Sequence, residues 1–196
     1  MEPKSGGKFI VLDGIDGSGT TTHANLLRDW LKQKGYAVIV TQETSGRRIG
    51  TLIRKNIKTT QTTAQVDALL FAADRVDHVE NIIKPSLLAN KIVISDRYME
   101  SAVAYQTAAG LKMEWVLELN KYVITPTLTI ILDIIPEVGL ARKKKLTDKF
   151  EQVEFLQKVR EIYLSRAQSQ NYPVINTDRP LNIVQDEIRK HVQVIL

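Results

Sequence analysis

Five short apolar runs rich in isoleucine and valine alternate with longer segments of helical pattern, and this alternation restricts the fold more than any other feature. The runs are Phe9-Ile10-Val11-Leu12, Ala37-Val38-Ile39-Val40, Ile92-Val93-Ile94, Leu128-Thr129-Ile130-Ile131-Leu132 and Pro173-Val174-Ile175. They are continuous rather than alternating, the pattern of strands covered on both faces. Strand–helix alternation along the whole chain predicts an α/β fold, a doubly wound five-stranded parallel sheet with helices on both faces. A helix is predicted from Thr20 to Gly35, a natural left-handed cap. A second covers 64–81, and Pro85 is expected to kink or break its continuation. Pro136 suits the first turn of a helix through Leu140 and Ala141. A long helix spans 152–168, and a last one starts at Leu181. No repeat or dividing linker interrupts, so 1–196 are expected to form one domain.

Composition narrows the function. The chain has no cysteine, which excludes disulfides, thiolate metal sites and cysteine nucleophiles. No apolar run approaches a membrane span, and 1–8 carry no signal-peptide pattern. The expected location is cytoplasmic, with no membrane partner. The 27 basic residues exceed the 22 acidic ones, for a net charge of +5, which favours a polyanionic partner. The basic residues are spread widely, and neither a zinc-finger nor an aromatic RNA-binding signature accompanies them. Nucleotide phosphates therefore fit better than nucleic acid.

Directly after the first strand comes Asp13-Gly14-Ile15-Asp16-Gly17-Ser18-Gly19-Thr20-Thr21-Thr22. Glycines at 14, 17 and 19 between a strand and a helix let backbone N–H groups converge on an anion, and the helix N-terminus adds partial positive charge. Thr21 stands where a P-loop places the hydroxyl that ligates Mg²⁺. The pattern asks for lysine just before it, and this chain has Thr20. A tight glycine turn opening a well-capped helix is the competing reading of the segment alone.

Two further segments bear on the choice. After the third strand come Ser95-Asp96-Arg97-Tyr98, then Ser101, Tyr105 and Gln106. An aspartate closing such a strand can hold Mg²⁺ as a Walker-B carboxylate does, and the adjacent arginine can fork onto phosphate oxygens. Upstream, Phe71 and Arg75 are four apart and share one helix face, offering a ring for a base and a guanidinium for its carbonyl oxygen. His78 reads as a surface or packing residue, and His23 and His191 form no metal-ligand cluster.

Together these segments closely resemble the thymidylate kinase family of P-loop nucleoside-monophosphate kinases. The matching residues are Gly14-Ile15-Asp16-Gly17-Ser18-Gly19, Thr41-Gln42-Glu43, Leu70-Phe71-Ala72-Ala73-Asp74-Arg75 and Asp96-Arg97-Tyr98 with Ser101, Ala104, Tyr105 and Gln106. They continue with Leu132-Asp133-Ile134-Ile135-Pro136-Glu137, Leu140, Arg142 and Asp148-Lys149-Phe150-Glu151. The resemblance implies transfer of the γ-phosphoryl of ATP to dTMP, with Mg²⁺. It implies ATP binding by Gly14, Ile15, Asp16, Gly17, Ser18, Gly19, Thr20, Thr21 and Thr22, with Lys143, Lys149 and Thr177, and metal held at Thr21 and Asp96. It implies dTMP binding by Asp16, Phe71, Arg75, Arg97, Ser101, Tyr105 and Gln106. Arg97, Arg142, Asp96 and Glu43 would carry catalysis. A lid at about 142–151 would close over ATP. Gly17 occupies the loop position that holds a catalytic arginine in some members, so Arg142, with Lys143, Lys144 and Lys149 near it, is expected to act from the lid. The family also implies a homodimer through helices packing face to face, which the apolar residues of the 64–79 region would allow.

The departures keep alternatives open. Thr20 removes a charge that bridges the β- and γ-phosphates, a loss on the order of 10²–10³ in rate. A weak or inactive nucleotide-binding relative, or a kinase acting on another monophosphate such as dUMP, therefore stays open. Thr41-Gln42-Glu43-Thr44 lacks the family's arginine and proline. Arg47 or Arg48 is expected to stand in for that arginine. Lys149 replaces a usual arginine and keeps charge without the bidentate fork.

Overall fold

The computed structural model describes residues 7–58, 62–143 and 149–196. Five parallel strands form one sheet: β1 (Lys8–Gly14), β2 (Val38–Gln42), β3 (Ile92–Asp96), β4 (Leu128–Asp133) and β5 (Val174–Asn176), in the order β2-β3-β1-β4-β5. Central β1 pairs with β3, Leu12 opposite Asp96, and with β4, Gly14 opposite Leu132. The crossover after β1 leaves toward β2 and the one after β3 returns to the other side, so a crevice opens at the carboxyl ends of β1 and β3. Open α/β sheets place ligands at such a switch point.

Successive residues of each strand feed opposite faces, which is why the apolar runs are unbroken. Ile10, Leu12, Ile92, Ile94, Ile130 and Leu132 pack on one face against Leu27 and Leu31 of α1 (Thr20–Gln33) and Val184, Ile188 and Val192 of α9 (Leu181–Ile195). On the other face Phe9, Val11 and Val93 meet Val79, Ile83 and Tyr98. Farther along that face Ile131 packs on Leu156, Val159 and Tyr163 of α8 (Val153–Gln170).

Three helices stand where the sequence reading assigned none: α2 (Arg48–Asn56), α5 (Met99–Ala108) and α6 (Met113–Leu119). The expected break at Pro85 is also different. The helix α3 (Ala64–His78) runs through a π-helical turn (Val79–Ile83) directly into α4 (Lys84–Leu88). Pro85 lies in the first turn of α4, where its ring needs no N–H partner, and the wider π turn makes room for it. The remaining helix, α7 (Pro136–Ala141), starts at its proline as expected. Among the described residues no helix is long and apolar enough to cross a membrane.

Candidate active site

The β1–α1 loop is built by glycine at two positions. Gly17 and Gly19 have φ of +81° and +91°, and Gly19 caps α1 in the left-handed conformation. The Ser18 N–H donates to the Ile15 carbonyl (3.1 Å), closing the turn, and the His23 N–H donates to Gly19 (2.9 Å). The loop borders a cavity of about 610 Å³ shared by residues 16–23, Asp96, Arg97, Arg142, Lys143, Thr177 and Arg179. Gly14 and Ile15 are not on its wall: a Cβ on Gly14 would meet the Leu132 carbonyl at 2.4 Å, and the Ile15 side chain is buried among Ala104, Tyr105 and Ile131. They shape the loop from behind.

At the carboxyl ends of β1 and β3, the Thr21 hydroxyl donates to Asp96 Oδ2 in a short contact, while Asp96 Oδ1 is buried with no hydrogen-bond partner among the described residues. Such an orphaned carboxylate oxygen is costly unless something binds it. Hard oxygen donors of this kind suit Mg²⁺. Among the described residues no group of three His, Asp or Glu side chains converges on a metal position.

A second cavity, about 230 Å³, lies beside the first and shares Asp16, Gln42, Glu43 and Arg97 with it. Phe71, Arg75, Ser101, Tyr105 and Gln106 line it, so all the expected acceptor-side residues come together, joined by Phe150. Arg97 adopts φ +70°, donates through Nη2 to Asp16 Oδ1 (2.6 Å) and lies 5.5 Å over the Tyr105 ring. The Ser101 hydroxyl donates to the buried Asp13, which also accepts from the Tyr163 hydroxyl (2.8 Å) and the Tyr98 N–H (3.1 Å). Burial pushes the Asp13 carboxyl up to about 6, against the pull of the Ser101 hydrogen bond and the Arg97 charge. Arg97 and Ser101 thus stand on a base of buried hydrogen bonds.

Arg75 is fully buried. Its Nε donates to Glu43 Oε2 (2.7 Å), Nη1 to Asn120 Oδ1, and Nη2 to the Tyr98 carbonyl (3.2 Å). The other Glu43 oxygen is 3.2 Å from His78 Nδ1, and His78 Nε2 is 2.6 Å from the Thr41 hydroxyl. His78 is therefore no surface residue; it braces Glu43 from beneath. Glu43 borders both cavities, but its carboxylate is engaged by Arg75 and His78, so its contacts are those of a group that orients Arg75. The Glu43–Thr44 peptide bond is cis although no proline follows.

Neither Arg47 nor Arg48 takes the place expected of it. Arg47 pairs with Asp77 on the surface, and Arg48 is exposed at the start of α2. The Thr44–Ser45 segment is held by Arg54, whose Nη1 donates to the Thr44 hydroxyl (2.9 Å) and the Ser45 carbonyl (2.7 Å).

The expected lid cations separate. Arg142 donates to the Gly17 carbonyl (3.2 Å) and the Thr177 carbonyl (2.9 Å), bridging the loop and the segment after β5. Lys143 contacts Glu151 and approaches Asp16 Oδ2 at 3.7 Å. Lys144 lies outside the described residues, as does the rest of 144–148, half of the expected lid. Lys149 does not reach the phosphate loop: its Nζ is 2.6 Å from Asp67 Oδ2 and 3.1 Å from the Thr62 hydroxyl, at the start of α3. A buried carboxylate there outcompetes the open cavity for the ammonium.

Residues not singled out from the sequence also take part. Asp13, Tyr163 and Asn120 hold Ser101 and Arg75 from behind, and no local pattern marks them. Arg179 borders the phosphate cavity. So does His23, set by helical spacing one turn beyond Gly19, with Nδ1 2.9 Å from Gln185 Oε1. Burial pushes the His23 pKa down; the Gln185 hydrogen bond opposes this, and nearby Arg142 adds to it.

Comparison with known proteins agrees with this geometry. The family model described as thymidylate kinase matches residues 12–188. The probable thymidylate kinase of Pyrobaculum calidifontis is 46% identical over 183 residues, covering 92% of this chain and 93% of that protein. That of Thermococcus kodakarensis is 38% identical over 201 residues, covering 96% and 98%. The chain belongs to the thymidylate kinase family.

Proposed function

We propose that the protein transfers the γ-phosphoryl group of ATP to dTMP, giving dTDP and ADP, as a single P-loop kinase domain whose lid spans about 142–151. The observation that carries this reading is the shared wall of the two cavities. A triphosphate on the glycine loop and a monophosphate on Arg97 would approach each other across Asp16 and Arg97. Phosphoryl transfer needs little covalent help, and such a wall supplies positioning and charge neutralisation.

The residues divide the work. Backbone N–H groups of 17–21 and the N-terminus of α1 bind the donor phosphates, and Arg142 and Thr177 border the donor on the side away from the acceptor. Thr21 and Asp96 hold Mg²⁺, which screens the phosphate charge when bound. Arg97 grips the acceptor phosphate, Phe71 stacks on thymine, and Arg75, oriented by Glu43 and Asn120, donates to the base carbonyl. Tyr105 packs on the deoxyribose, Asp16 and Ser101 border the sugar and phosphate, and Gln106 faces the base. A cytoplasmic location belongs to the same reading.

A homodimer belongs to the same reading. Val66, Leu69 and Val76 form an exposed apolar stripe on α3, with Leu52 of α2 and Trp115 of α6 also exposed. Apolar area of this kind is the usual core of a subunit interface.

Thr20 favours a second reading, a relative that binds nucleotide without turnover. A coupled ADP-release assay with ATP, Mg²⁺ and each of dTMP, dUMP, dCMP, dGMP and AMP separates the two. ADP formation selective for dTMP is expected. ATP binding without ADP formation on any acceptor would select the second reading, and equal rates on dUMP would move the acceptor assignment.

A further inference from the structure

A P-loop lysine reaches the β- and γ-phosphates, and Thr20 has no charge to offer them. Among the described residues four cations border the phosphate cavity: Arg97, Arg142, Lys143 and Arg179. Arg97 is committed to Asp16 on the acceptor side. Arg142 is committed to the Gly17 and Thr177 carbonyls, with the Asp178 carboxylate 3.7 Å away. Arg179 is paired with Glu187 and the Asn176 carbonyl beyond the loop. Lys143, held by Asp16 and Glu151, stands beside the glycine loop.

Its backbone is fixed there as well. A Cβ on Gly17 would lie 2.0 Å from the Gly139 carbonyl, and one on Gly139 would lie 2.6 Å from the Asp16 carbonyl. Helix α7 and the phosphate loop therefore touch backbone to backbone. Lys143 follows one turn after Gly139, its N–H donating to the Leu140 carbonyl (3.0 Å), so α7 carries it over the loop. Its side chain is partly exposed, while the Glu151 carboxylate beneath is buried. An ammonium on a flexible four-carbon stem has three donors, enough to keep Glu151 and turn the others to phosphate oxygens.

We infer that Lys143 is a catalytic residue supplying, from the end of α7, the phosphate-bridging charge that Thr20 lacks. The inference rests on the kinase reading. Its test is a double-mutant cycle in the full chain between Thr20→Lys and Lys143→Gln, a change that keeps a hydrogen-bond donor for Glu151 while removing the charge. In the native background Lys143→Gln is expected to lower kcat with dTMP by roughly 10²–10³-fold, the range for losing one electrostatic donor. In the Thr20→Lys background the same change is expected to cost less than about fivefold, because the restored lysine takes over. Lys143→Arg should retain most activity. Equal losses in both backgrounds, or no loss in the native one, would overturn the assignment, since a purely structural lysine is not rescued from position 20. If the native chain fails to turn over dTMP, the kinase reading falls by itself. Affinity for a fluorescent ATP analogue through the same four proteins still decides Lys143, with weakening by Lys143→Gln only when Thr20 is present.

Discussion

Asp13→Asn is expected to change the pH dependence of stability in a defined direction. Asp13 is fully buried at the end of β1, and burial raises its pKa from 3.8 to about 6. Between those values the folded chain holds a proton that the unfolded chain has released. Stability therefore falls as pH rises through that window, and the charged form carries the full penalty above it. The gap corresponds to roughly 3 kcal/mol, at about 1.4 kcal/mol per pKa unit. Asparagine has no such titration, and its amide can still meet Ser101, Tyr163 and the Tyr98 N–H. Urea unfolding of both proteins from pH 4 to pH 8 gives the difference directly, since every other group cancels to first order. Asp13→Asn should gain about 3 kcal/mol relative to the native chain between pH 4 and pH 8, or about 6–12 °C in Tm. A difference that stays flat, or that favours aspartate as pH rises, would refute the claim that burial dominates over the three hydrogen bonds.

Two other outcomes follow from contacts away from the phosphates. Lys149→Met leaves the buried Asp67 with the Thr62 hydroxyl as its one side-chain partner among the described residues, so thermal or urea unfolding should show a loss of about 3 kcal/mol. KM for ATP should hardly move in that variant, and a large rise would return Lys149 to the donor site. Leu69→Glu places a charge in the exposed stripe of α3, and sedimentation should show a shift from dimer to monomer. A native chain that already sediments as a monomer would remove that assignment.

The layering was legible because it depends on local composition. Unbroken Ile and Val runs report strands covered on both faces whatever the rest of the chain does, and Gly17 and Gly19 report a loop that only positive φ can form. Phe71 and Arg75 could be placed on one helix face because their spacing of four is local. Helix α5 was not legible, because Ala102, Val103, Ala104, Tyr105 and Gln106 are all buried and no polar stripe marks a period. The π turn was likewise invisible, since its backbone bonds depend on how α3 and α4 pack.

Tertiary structure alone decided which charge meets which. Residue type told that Glu43, His78, Lys143 and Lys149 carry polar or charged groups, but a side chain's partner is set by elements far apart in the chain. Lys149 is drawn to Asp67 on α3 and Lys143 to Asp16 and Glu151, though they stand six residues apart. Glu43 spends its carboxylate on Arg75 and His78 because the ends of β2 and α3 converge there. Burial, which raises Asp13 and lowers His23, is likewise a property of the assembled core. The sequence by itself determined the sheet, the glycine loop and the family; the packing of helices over the carboxyl edge of that sheet decided the electrostatics of the site, because charges interact through space and not along the chain.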